Sequence, residues 1–144
     1  MRDTFDVFLS YSTSDHVWVE RVARALHDRG IRVFLDRWYL AAGQPWPRAL
    51  EQTLEACNAV AVFVGQGGLG PWQQRERDLA LDRQGRDAGF PVIPVLLTGA
   101  DPALGFLRLN TWVDLSAGPG DEAALDLLVA AIRREPPGPL ARER

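Results

Sequence analysis

Five short apolar runs, each separated from the next by a helix-forming or glycine-rich segment, constrain this chain more than any other feature of its sequence. The runs are residues 5–10, 31–35, 60–64, 92–97 and 112–115. Val19, Val22, Ala23 and Leu26 recur at i, i+3, i+4 and i+7, which predicts one helix with Ser14 as its N-cap, Asp15 in its first turn and Gly30 just past its end. A second helix is expected from about Pro47, with Leu50, Leu54 and Cys57 on its apolar face. A third runs from Pro71, a favoured first helical residue, to about Gly85. The last begins near Asp121 and carries Leu125, Leu128, Val129 and Ile132 at helical spacing. Strands that alternate with helices imply a parallel sheet covered on both faces, with right-handed crossovers. The simplest outcome is an α/β, flavodoxin-like three-layer fold with five parallel strands in the order 2-1-3-4-5. Pro94 interrupts the fourth run, and it predicts a bulge or one poorly paired side there.

In such sheets ligands bind beyond the carboxyl ends of the strands, where the strand order reverses between the first and third strands. That rule selects residues 10–15, 36–46 and 65–76 as the segments to search for chemistry.

Composition removes several classes of function. At 144 residues the chain has the size of one domain, and a net charge of −3 with no basic stripe leaves no footprint for nucleic acid. No apolar run approaches the ~20 residues of a membrane span, and Met1-Arg2-Asp3 opens no signal peptide, so a cytoplasmic location is expected. Cys57 is the one cysteine, which excludes an internal disulfide and a cysteine metal cluster. His16 and His27, eleven positions apart on one helix, are read as solvated positions, so no metal site is expected. All sixteen basic residues are arginine. Without lysine there is no P-loop and no Schiff-base chemistry. Residues 135–144, with Pro136, Pro137 and Pro139, read as a linker or frayed end after a domain of residues 1–134. They point to a fused or associated sensor or oligomerisation region.

Gly65-Gln66-Gly67-Gly68-Leu69-Gly70 matches G-x-G-x-x-G, yet it reads better as a flexible turn. It follows the third strand rather than the first. No acidic residue stands at the end of the next strand to hold a ribose, and Pro71 starts the helix after the last glycine. A receiver domain would share the strand order, but it needs acidic residues after the first strand and an aspartate ending the third. Ser10-Tyr11-Ser12 and Val64-Gly65 stand there instead.

Six segments in order resemble the Toll/interleukin-receptor (TIR) family. They are Asp6-Val7-Phe8-Leu9-Ser10-Tyr11-Ser12, Gly30 through Asp36, Leu40-Ala41-Ala42-Gly43-Gln44 as the tip of its BB loop, Leu50 through Val64, Trp72-Gln73-Gln74-Arg75-Glu76, and Pro91 through Leu96. The resemblance covers roughly residues 4–134. The fifth segment is similar to the W-x-x-x-E pattern of TIR domains that cleave NAD⁺, chiefly of the prokaryotic type. The resemblance therefore implies an NAD⁺ glycohydrolase with Glu76 as its catalytic residue. Its products would be nicotinamide and linear or cyclic ADP-ribose, with NAD⁺ as substrate and no cofactor. It further implies activation by self-association through residues 36–46, contact with other TIR domains, and a place in immune or antiphage defence. The family also contains TIR domains that only signal by TIR–TIR contact, which keeps a non-catalytic scaffold as the alternative.

On the residues alone, Glu76 reads best as part of a solvated helix start, beside Arg75, Arg77 and Asp78. The W-x-x-x-E match and the position at the strand-order reversal favour catalysis instead. Trp72, one turn earlier on the same helix face, either packs under the carboxylate or fills core. Ser10 and Tyr11 are candidates to hydrogen-bond ribose or phosphate, although Ser12 and Thr13 stand where many NAD⁺-cleaving relatives place a basic residue. Arg37 is the candidate to supply that charge. Asp36 caps the loop or touches ribose. Gly43 lies at the loop tip, and Trp38 and Trp46 flank it, suited to stacking on a base or to burial in a neighbouring subunit. Cys57 is expected to be a small buried apolar residue.

Overall fold

The computed structural model describes residues 5–35, 53–66, 71–99 and 112–134. Five parallel strands form one sheet: β1 (Val7–Ser10), β2 (Val33–Phe34), β3 (Val60–Val64), β4 (Val92–Leu96) and β5 (Val113–Asp114). Their order is β2-β1-β3-β4-β5, as the alternation of strands and helices requires. Among the described residues three long helices cover the sheet: α1 (His16–Asp28), α2 (Pro71–Arg86) and α3 (Glu122–Ile132). β3 lies in the middle, and all five of its residues are buried, which is why it reads as an unbroken apolar run.

Period-two alternation sorts the strand residues into two layers. Val7, Leu9, Val33, Leu35, Ala61, Phe63, Ile93 and Val95 pack with α1 and α3. Phe8, Phe34, Val60, Val62, Val64, Val92 and Leu96 pack on the opposite face with Ala80 of α2, Leu54 and Cys57. Phe8 stacks on Phe34 with ring centroids 5.2 Å apart.

The helix ends follow local chemistry. α1 buries the expected stripe of Val19, Val22, Ala23 and Leu26. Its C-terminus is a Schellman turn, with Gly30 at φ +82°, Gly30 N–H donating to His27 O and Ile31 N–H to Leu26 O. Its start differs from the expectation of a Ser14 cap. A 3₁₀ turn over Thr13–Asp15 precedes the helix, and Asp15 takes the N-cap position without a side-chain cap bond. Asp15 N–H instead donates to Ser12 O at 2.8 Å. Asp121 does cap α3, accepting from Ala124 N–H at 3.2 Å.

Of the two expectations for Pro94, the bulge is absent and the poorly paired side is found. β3 and β4 pair in unbroken register from Val60↔Val92 to Val64↔Leu96. Val60 N–H donates to Pro91 O and Leu97 N–H to Val64 O, so the odd-numbered residues of β4 turn their backbone groups towards β3. Pro94 therefore turns its imide nitrogen towards β5, whose pairing starts only at Val95↔Val113. The proline costs no ladder bond because it precedes that ladder.

The expected start of the second helix lies outside the described residues, but residues 53–55 are helical. Leu54 and Cys57 are buried as expected. Burial pushes the Cys57 thiol up to about 12 against the smaller opposing pull of Arg83. In the folded protein Cys57 is therefore expected to resist an aromatic disulfide reagent at pH 8, reacting on the order of 10³-fold more slowly than in denaturant. Labelling at the denatured rate would contradict this burial.

Candidate functional site

The alternation that buries Phe8 on the α2 side of the sheet places Ser10 on that side too, at the carboxyl end of β1. α2 approaches the same point. Its residues Gln73, Glu76 and Ala80 recur at i, i+3 and i+7 and are buried, while Gln74, Arg75 and Asp78 are exposed. Glu76 is only 4% exposed and Ser10 is fully buried. The Ser10 hydroxyl donates to Glu76 Oε1 at 2.8 Å, between residues 66 positions apart. The solvated-face reading of Glu76 is thereby corrected: its neighbours Arg75 and Asp78 face solvent, and it does not.

Gln73 is the residue that the sequence reading passed over. It is 1% exposed, and its amide Nε2 donates to Ser10 O at 3.1 Å and also to Phe63 O. The available signal was its place three residues before Glu76 and seven before Ala80, on the buried stripe of α2.

Asp15 stands at the same end of the sheet. Its carboxylate lies against Gly65, so close that a methyl group on Gly65 would come within 2.6 Å of Asp15 Oδ1. A glycine after β3 thus serves close approach of a side chain. Burial raises the Asp15 pKa. The folded state then holds the Asp15 proton more tightly than the unfolded state does, so the ionised carboxylate costs stability above its folded pKa. That cost fades as pH falls through the folded pKa and is gone below the unfolded value near 3.8. Asp15→Asn is expected to melt above wild type at pH 7, with the gap closing by about pH 3. A gap that widens in acid would reverse the assignment.

Of the other expected site residues, Tyr11 falls on the opposite face of the sheet from Ser10, half-buried against the α1–α3 layer. Trp72 lies in the first turn of α2. Asp36, Arg37, Trp38, Gly43 and Trp46 lie outside the described residues, as does the tail of residues 135–144. Among the described residues no cluster of His, Cys, Asp and Glu is placed to hold a metal ion. None of the described helices is long and apolar enough to cross a membrane.

A parallel sheet in this order, with a carboxylate and a hydroxyl paired at its carboxyl end, defines a flavodoxin-like α/β domain with a polar site at the strand-order reversal. The chain belongs to the TIR domain family, whose model matches residues 7–129. Solved structures carry the same fold. The TIR domain of the Toll-related receptor TRR-2 from Hydra magnipapillata matches at 20% identity and TM-score 0.60, covering 97% of this chain and 98% of that one. A metazoan TIR-STING receptor from C. gigas, in complex with 2′,3′-cGAMP, matches at 18% identity and TM-score 0.77 over 94% of this chain. This chain spans only 42% of that receptor. The TIR domains of the activated Roq1 resistosome match at 23% identity and TM-score 0.57, over 69% of this chain and 61% of that one. No curated protein matches this sequence.

Proposed function

We propose that this TIR domain is an NAD⁺ glycohydrolase with Glu76 as its catalytic carboxylate. The observation that supports it is the buried Glu76 side chain, 4% exposed, held by Ser10 at the carboxyl end of the sheet. Nicotinamide leaves NAD⁺ as a neutral base when its bond to the ribose breaks, so no general acid is needed. The bonding pair departs with nicotinamide, and positive charge develops on the ribose as an oxocarbenium ion. One carboxylate in a water-poor setting stabilises that charge. Water then attacks the same carbon and loses a proton to give ADP-ribose; attack from within the nucleotide gives a cyclic product. On this reading Asp36, Arg37, Trp38, Gly43, Trp46 and Trp72 supply the remaining contacts to NAD⁺. The segment 36–46 of a neighbouring copy completes the site on self-assembly, within a cytoplasmic immune response.

The test is nicotinamide release by concentrated protein incubated with NAD⁺. Release that rises more steeply than in proportion to protein concentration is the expected result. No release at any concentration, even in crowding agents, sinks the proposal. It would leave the second reading, a TIR–TIR docking module. Favouring that module are Val17 at the start of α1 and Leu127 on the adjoining α3, apolar residues that are 61% and 44% exposed.

A further inference from the structure

The β1–β3 ladder ends abruptly, and Gln73 completes it. Phe8 N–H donates to Ala59 O, so the odd-numbered residues of β3 turn their backbone groups towards β1. The register Phe8↔Val60 to Ser10↔Val62 then leaves Phe63 O facing the place where residue 12 of a longer β1 would donate. β1 stops at Ser10, and residues 13–15 turn away as a 3₁₀ segment. The Gln73 amide takes that place, donating to Phe63 O and to Ser10 O together. A buried side chain from α2 thus bridges the two strand ends at the point where they part. Glu76 is one turn further along the same helix face, bonded to the side chain of the very residue whose carbonyl Gln73 holds.

We infer that Gln73 is a positioning residue that fixes the Ser10–Glu76 pair by standing in for the N–H that residue 12 of a longer β1 would supply. Its backbone contacts set how deep α2 sits in the crevice and where the Ser10 hydroxyl points. Both contacts are to backbone oxygens, so what they contribute to chemistry passes through geometry. The consequence for turnover rests on the NAD⁺ reading above; the consequence for the Ser10–Glu76 contact does not.

Gln73→Met keeps the length and bulk of the side chain and removes both donors. In an active protein it is expected to lower kcat by about 10- to 100-fold, the scale of a small misplacement of a reacting group, with KM changed less than about threefold. In its crystal structure Ser10 Oγ and Glu76 Oε1 are expected to part from 2.8 Å to beyond hydrogen-bond reach. A purely structural role would lower Tm and leave kcat and that contact intact, which overturns the inference. So does a loss of kcat with the contact unchanged. Should Gln73→Met fail to fold, Gln73→Asn, which retracts the amide by one methylene, is read in the same two ways. If wild type releases no nicotinamide, the enzymatic reading fails by itself, and the crystallographic distance alone decides the part played by Gln73.

Discussion

Glu76→Gln is expected to cut nicotinamide release from NAD⁺ by about 10²- to 10³-fold while leaving the protein folded, the magnitude seen when one preorganised electrostatic contact is removed from a transition state. Glutamine is nearly isosteric, and its Oε1 still accepts the Ser10 hydroxyl that now donates at 2.8 Å. What disappears is the negative charge. In water a carboxylate near a cation contributes little, but at 4% exposure solvent screens the pair far less. The loss should fall on kcat more than on KM, because the ribose gains its full charge only as the bond breaks. Matched circular dichroism and melting curves guard against a trivial loss through unfolding. Equal release by both proteins, above the blank, would remove Glu76 from the chemistry whatever its burial.

That Glu76 deserves this test was only half legible in the sequence. The strands and helices were legible because each rests on local information. Val60–Val64 is apolar without interruption, Gly30 allows the positive φ that ends α1, and Asp121 can cap only the helix that follows it. Errors arose where two local signals competed. Ser14 and Asp15 are both good caps, and the 3₁₀ turn chose Asp15, whose side chain lies against Gly65 instead of capping. Pro94 predicted a bulge or one poorly paired side, and the second is found; which of the two occurs depends on the neighbour its nitrogen faces, and that is a tertiary fact. The bond between Ser10 and Glu76 crosses 66 positions, and no periodicity encodes it. Helical spacing put Gln73 and Glu76 on one stripe; only the place where β1 ends tells why that stripe is polar.

Arg83→Met is expected to lower stability by about 3 kcal/mol and Tm by about 10 °C, whereas Arg86→Met, one turn away, should cost less than about 1 kcal/mol. Both arginines lie near the end of α2 and both reach back to the segment around residues 54–57. Arg86 pairs with Glu55 at 3.0 Å and Asp82 at 3.3 Å, but its side chain is 59% exposed, so water replaces the lost bonds. Arg83 Nη1 donates to Leu54 O and Cys57 O, each at 2.5 Å, while its guanidinium lies 4.0 Å above the Phe90 ring. Leu54, Cys57 and Phe90 are all buried. Methionine keeps the apolar stem and loses the donors. Leu54 O retains the Cys57 N–H at 3.3 Å, so the larger part of the cost falls on Cys57 O, left in a dry site, and on the cation–π contact. The tether also matters for the site, because it docks the residues that follow segment 36–52 onto the helix that carries Glu76. Coincident melting curves for the two variants would show that charge count, rather than burial of the acceptors, governs this end of α2.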